Sequence, residues 1–237
     1  MTKPAIRVAL LAALIFICLA TLPIHAFETV HPLTGRKIAG VCGVGGASWL
    51  ERPEREEEEH SDAAVEALGL KPGMMVADVG AGTGYMSIKM ARKIGPTGKV
   101  FANDIQPEML KLLQKNAQQA KVTNIEPVLG TAAGTNLPRG QMDLVLLVDV
   151  YHEFSEPVKM LRDLRETLKP DGRLVLIEYR GEDPTVPIRP EHKMTVAQVK
   201  TELEAEGFVL GPVIETLPRQ HILFLTKTAG KAKSAAQ

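Results

Sequence analysis

The segment that most restricts this chain is Val76-Ala77-Asp78-Val79-Gly80-Ala81-Gly82-Thr83-Gly84. A short apolar run flows into three alternating glycines, and the residues from Tyr85 to Ile94 then place their apolar side chains at helical spacing. Strand, glycine turn and helix together form the start of a parallel α/β unit. Glycine lets the backbone turn sharply and lets a ligand come close where any Cβ would collide. A plain tight turn needs one or two glycines, not three on this spacing. A dinucleotide fingerprint would require Gly80-x-Gly82-x-x-Gly/Ala, and position 85 is Tyr, which weakens the nicotinamide reading at its third glycine.

The same alternation continues along the chain. Apolar runs at Met74 to Val79, Lys99 to Ile105, Ile125 to Leu129, Met142 to Val150 and Arg173 to Tyr179 read as strands. Helical patterns separate them at Tyr85 to Ile94, Pro107 to Ala120 and Glu156 to Leu168, with Pro107 suited to a first turn and Ser155 to an N-cap. Thr195 and Gln198 make a capping box for Val196 to Glu206, which Gly207 stops. Val209 to Leu217 and His221 to Lys227 read as an antiparallel hairpin. Right-handed crossovers then give a doubly wound, Rossmann-like α/β fold with a seven-stranded, mostly parallel sheet and an antiparallel C-terminal hairpin.

Of 237 residues, 45% are hydrophobic, enough for one packed core, and 28 basic side chains balance 28 acidic ones. That balance argues against nucleic acid as a partner, which needs clustered Lys and Arg. Lys3 and Arg7 precede an apolar run from Val8 to Leu22, so residues 1–26 read as a signal peptide or an uncleaved anchor, and the rest as exported and periplasmic. Membrane contact is expected only through that segment. Cys18 lies inside it, and Cys42 is the other cysteine, so no disulfide framework or Cys/His metal site is expected. Residues 27–60 read as an irregular lead-in and a charged helix start, residues 61–228 as the main domain, and residues 229–237 as a disordered tail. The run Glu51 to Glu59 is either a solvated helix start or, through Trp49, Arg52 and Arg55, the lining of a pocket entrance.

Three marks give the domain a resemblance: the Asp78-x-Gly80-x-Gly82-x-Gly84 loop, Asp104 closing Ala102-Asn103-Asp104-Ile105, and Leu168-Lys169-Pro170-Asp171-Gly172-Arg173 before the fifth strand. Over Leu70 to Lys227 the chain resembles the class I S-adenosylmethionine-dependent methyltransferases, in particular the ubiquinone/menaquinone-biosynthesis-like group that acts on small molecules. The resemblance implies S-adenosyl-L-methionine as cofactor and a small-molecule or lipid-like methyl acceptor. It implies that Asp78, Gly80, Ala81, Gly82, Thr83 and Gly84 cradle the methionine and ribose, and that Asp104, followed by Ile105, receives the ribose hydroxyls. The family often carries an acid after the third strand for the adenine. Here Gly130-Thr131-Ala132-Ala133-Gly134 offers Thr131 instead.

In an open parallel sheet the ligand crevice lies beyond the carboxyl ends of the strands. The fourth strand runs into Asp149-Val150-Tyr151-His152-Glu153, so the reaction centre is expected there. His152 is the candidate proton acceptor, because imidazole is largely neutral near pH 7. A purely structural His152, bonded to its loop, is the alternative. Asp149 is placed on the sulfonium side, as both a catalytic and a cofactor residue, and Tyr151 at the substrate. Glu178, Tyr179, Arg180 and the loop residue His192 complete the expected substrate rim. A nucleoside-binding protein without turnover, and a nicotinamide-dependent oxidoreductase, remain the other readings.

Overall fold

The structure, a computed structural model, describes residues 29 to 228, so the signal segment, Cys18 and the tail lie outside it. After an irregular strap come three short helices, α1 (Ala47–Leu50), α2 (Arg55–Glu59) and α3 (Ser61–Ala67). The alternating body follows: β1 (Met75–Val79), α4 (Tyr85–Ile94), β2 (Lys99–Asp104), α5 (Pro107–Gln119), β3 (Ile125–Leu129), β4 (Met142–Val148), α6 (Pro157–Thr167) and β5 (Leu168–Arg180). The chain ends with β6 (Lys193–Met194), α7 (Val196–Glu204), β7 (Phe208–Ile214) and β8 (Gln220–Lys227).

The strands lie in the order β3-β2-β1-β4-β5-β8-β7, with β6 beside β5, so eight strands replace the expected seven. The extra one is a two-residue parallel pairing of Lys193 and Met194 with Tyr179 and Arg180, too short to leave a pattern in the sequence. The strands β1 to β5 are parallel, while β8 runs antiparallel to both β5 and β7. Strand order reverses between β1 and β4, which opens the crevice at their carboxyl ends.

Burial on both faces explains why β4 is apolar from Leu144 to Val148. Leu144 and Leu146 join Val76, Val100, Met90 and Ile94 on one face. Val145 and Leu147 join Ala77, Val79, Leu161 and Leu164 on the other. This period of two sends alternate side chains into separate cores. Each fully buried leucine contributes roughly 1.5 to 3 kcal/mol.

Local signals explain most boundaries. Pro107 opens α5, and Thr195 and Gln198 form the reciprocal capping box of α7. Ser155 is not the N-cap of α6. Glu156 holds that position without a side-chain cap, and Pro157 follows it, needing no partner for an N–H it lacks. Strand β5 starts at Leu168, earlier than the apolar pattern suggests, because Met142 pairs with Leu168 ahead of a register shift.

Candidate active site

A cavity of about 730 Å³ occupies the switch point, within the roughly 300 to 1,000 Å³ of ordinary small-molecule sites. Its floor comes from the ends of β1, β2 and β4, and its far wall from the turn after β4. Its roof comes from the lead-in, through Cys42, Trp49, Leu50, Arg52 and Arg55.

Gly80, Gly82 and Gly84 all take positive φ, at 74°, 52° and 89°, which side chains rarely adopt. A Cβ at Gly80 would strike Val150, and one at Gly84 would strike Leu113. Those two glycines therefore allow the loop to pack onto the protein itself. At Gly82 the nearest obstacle is Leu50 Cδ1, 2.8 Å from the position of a Cβ, so the lead-in closes over the loop. Asp104 ties loop to strand end: Gly82 N donates to Oδ2 at 2.9 Å and Gln106 N to Oδ1 at 2.8 Å. Burial raises its carboxyl above the ordinary value, and the two oxygens keep lone pairs for further donors.

Asp149 is the most unusual residue of the site. Its φ is +51°, a conformation that costs a non-glycine residue of order 1 kcal/mol and clusters at functional sites. Gln220 donates to Oδ2 at 2.6 Å, while the buried Oδ1 has no hydrogen-bond partner. Burial, reinforced by the Glu59 and Glu178 carboxylates, holds its carboxyl well above the ordinary range.

One turn of 3₁₀ helix, Tyr151–Glu153, follows. His152 Nδ1 lies 2.6 Å from Glu178 Oε2, and Tyr151 N donates to Glu178 Oε1 at 3.0 Å. In the neutral ring the buried carboxylate holds the proton on Nδ1 and leaves Nε2 with its lone pair. Burial pulls the imidazole down, but the Glu178 charge and hydrogen bond outweigh it and carry it above the usual histidine value. His192 Nδ1 sits 3.1 Å from His152 Nε2. Burial raises Glu153 to about 7, and Cys42 N donates to its two oxygens at 3.2 and 3.3 Å.

The glutamate run is not a uniform solvated face. Glu59 is buried and accepts from Arg52 Nη2 at 2.6 Å, Arg55 Nε at 2.8 Å and Tyr179 Oη at 2.9 Å. Arg52 also stacks 3.7 Å over the Trp49 ring. Of the two readings of this run, the pocket lining is the one the geometry realises, with both guanidinium groups already engaged by the chain's own carboxylates.

Among the residues singled out from sequence, Trp49, Arg52, Arg55, Gly80, Gly82, Asp104, Ile105, Thr131, Asp149, His152, Tyr179 and His192 line the cavity. The others do not. Asp78 is buried beneath the loop, where Ser87 Oγ donates to it at 2.5 Å and burial raises it to about 6. Ala81 and Gly84 shape the loop from behind, and Thr83 turns its hydroxyl to Glu51. Tyr151 points away into the core, where its hydroxyl donates to Glu202 at 2.9 Å, so it cannot border a substrate. Glu178 acts from behind His152. Arg180 is bound to Glu215 at 2.9 Å and to nearby carbonyls, outside the cavity. Sequence reading passed over Glu153, Gln106, Met109 and Ile188 as lining residues. Only Glu153, inside the polar cluster after β4, carried a signal.

Residues 70–223 match the family model described as a methyltransferase domain. A ubiquinone/menaquinone biosynthesis C-methyltransferase of Salmonella arizonae is 32% identical over 116 residues, 48% of this chain and 46% of that one. The chain thus spans about half the length of the curated relatives it matches. The crystal structure of a SAM-dependent methyltransferase from Aquifex aeolicus superposes with a TM-score of 0.74 at 28% identity, covering 78% of this chain and 98% of that one. The [4+2]-cyclase SpnF has the same fold at a TM-score of 0.62 and 18% identity, covering 81% of this chain and 88% of that one.

Proposed function

Because the chain belongs to the methyltransferase-domain family, we infer that it moves a methyl group from S-adenosylmethionine to a small-molecule acceptor. The observation that carries this reading is Asp149, a left-handed carboxylate with an unpartnered buried oxygen in the wall that also holds the glycine loop and Asp104. A nucleoside with a cationic side chain and sugar hydroxyls gives both acids what they lack. The residues therefore fit S-adenosylmethionine.

In this reading Asp104 receives the ribose hydroxyls and Asp149 faces the positive end of the methionine portion. Ile105 and Met109 flank the adenine, with Thr131 at its edge. Bound there, S-adenosylmethionine supplies an electrophilic methyl group on a sulfonium, open to in-line displacement. The chain's part is alignment and proton management. His152, oriented by Glu178, presents its Nε2 lone pair to the acceptor's proton. Val150, Phe154, Met160 and Ile188 give that side of the cavity an apolar surface, which favours an acceptor with an apolar body. Tyr179 and His192 border it.

Incubation with methyl-labelled S-adenosylmethionine and a panel of small acceptors tests this reading. Label transferred to product supports it, whereas cofactor binding without any transfer supports a nucleoside-binding protein. The lead segment favours a location outside the cytoplasm. Among the described residues no helix is long and apolar enough to cross a membrane, and the run Val8 to Leu22 lies outside them. Fractionation with N-terminal sequencing tests the location, and an intact Met1 in the cytosolic fraction would defeat it.

A further inference from the structure

Three side chains converge on one patch of the cavity wall: His152, Glu153 and His192, with one ligand atom from each lying within 4.8 Å of the others. The imidazole nitrogens Nε2 of His152 and Nδ1 of His192 are 3.1 Å apart. Two nitrogens each about 2.0 to 2.1 Å from a shared ion are separated by about 3.3 Å at a tetrahedral angle and about 2.9 Å at a right angle. The observed spacing falls between. Glu153 Oε1 is 4.0 Å from His192 Nδ1, and a shift of the Glu153 side chain toward both imidazole nitrogens would bring the third ligand atom onto the ion.

The surroundings are those a ligating set requires. Glu178 accepts the Nδ1 proton of His152, the carboxylate–histidine arrangement that fixes a metal-binding tautomer. The Cys42 amide orients Glu153. Both glutamates are buried, at 9% and 0% exposure, and a divalent cation beside Glu153, across the His152 ring from Glu178, offsets that charge. A simple imidazole–imidazole hydrogen bond also accounts for the 3.1 Å distance, with Glu153 then held only by the Cys42 amide.

We propose that His152, His192 and Glu153 bind one divalent first-row transition ion, and that its open position takes the O–H or S–H group of the methyl acceptor. Two imidazoles and one carboxylate suit zinc, iron, cobalt or nickel better than magnesium or calcium, which prefer all-oxygen sites. The acceptor half of the proposal rests on the methyl-transfer reading above, and it gives His152 Nε2 the work of a ligand. Ion-bound water ionises near pH 7. The acceptor R–XH, with X oxygen or sulfur, then gives its proton to the bound hydroxide, which departs as water while X takes its place on the ion. No electron changes hands in that exchange.

Metal-stripped full-length chain is titrated with Co²⁺, followed by visible d–d absorption, with Zn²⁺ as competitor. The same samples are titrated calorimetrically with S-adenosylhomocysteine and melted to check the fold. The expected result is one Co²⁺ per chain, displaced by Zn²⁺. H192A should lose the site, and E178Q, which removes no ligand, should bind about 10- to 100-fold more weakly. A small thiol added to the Co²⁺ protein should give a sulfur-to-metal charge-transfer band. A failure to bind Co²⁺ stoichiometrically, or equal binding by a folded H192A, overturns the metal site while intact S-adenosylhomocysteine binding leaves the methyl-transfer reading in place. Co²⁺ binding without S-adenosylhomocysteine binding keeps the ion and overturns its role toward a methyl acceptor. A spectrum unmoved by both thiol and phenol overturns the open position.

Discussion

The two halves of the cavity are built in different ways. The cofactor half comes from one local unit, β1 to β2 with its glycine loop, and is held by backbone groups such as the Gly82 and Gln106 amides on Asp104. The acceptor half is assembled from Cys42, Trp49, Arg52, His152 and His192, and the carboxylates of Glu153, Glu59 and Glu178 hold it together. The main-chain contacts of the cofactor half do not themselves titrate, and its pH response comes only from Asp104 and from Asp78 beneath the loop. A half fixed by buried carboxylates and imidazoles is a set of coupled charges, and its chemistry moves with protonation.

That contrast is open to direct attack. The largest effect is expected in the acceptor half: H152A should lower kcat by about 10²- to 10⁴-fold, the range for a positioned proton-transfer group. Its affinity for S-adenosylhomocysteine should stay at the wild-type value. A matching loss of cofactor affinity would show that the halves are not separable. In metal-free protein the neutral imidazole is the active form, so kcat should rise with pH through the elevated His152 value. E178Q should shift that limb to lower pH, because the Glu178 carboxylate is what lifts it.

The next effect lies beneath the glycine loop. Asp78 is raised from 3.8 to about 6 by burial, so the folded state holds its proton more tightly than the unfolded chain does. Its stabilising contribution is complete below about pH 4 and is lost as pH rises through about 6, some 3 kcal/mol in all. D78N should flatten that part of the stability curve, and denaturant melts at pH 4 and pH 7 read the difference. A smaller effect is expected for D104A, about 1.5 to 3 kcal/mol of S-adenosylhomocysteine affinity, the range for a hydrogen bond to a charged group. Calorimetry checks it, with kcat at saturating cofactor changing less than affinity. The smallest is a control in neither half. T195A removes the capping-box hydroxyl of α7 and should cost about 1 kcal/mol of stability, with no change in cofactor binding.

What could be read beforehand follows the same division. The glycine loop, Asp104 and the α7 capping box are each written in a few adjacent residues, because conformational preference and short-range hydrogen bonds act over that distance. The clamp on Glu59 could not be read that way. It joins Arg52 and Arg55 to Tyr179, more than a hundred positions along the chain, and nothing in a run of four glutamates tells which one is buried. Tyr151 failed for a related reason. In a 3₁₀ turn, neighbouring residues diverge, so His152 faces the cavity while Tyr151 reaches Glu202 in the core. His192 resembled an isolated loop histidine until the fold brought it against His152.

The claim under all of this is that the crevice beside the glycine loop recognises a sulfonium nucleoside. Parallel calorimetric titrations of the wild-type chain with S-adenosylhomocysteine and with NAD test it most directly. The account predicts one saturable site for S-adenosylhomocysteine and no heat of binding for NAD; saturable NAD binding with no response to S-adenosylhomocysteine would contradict it.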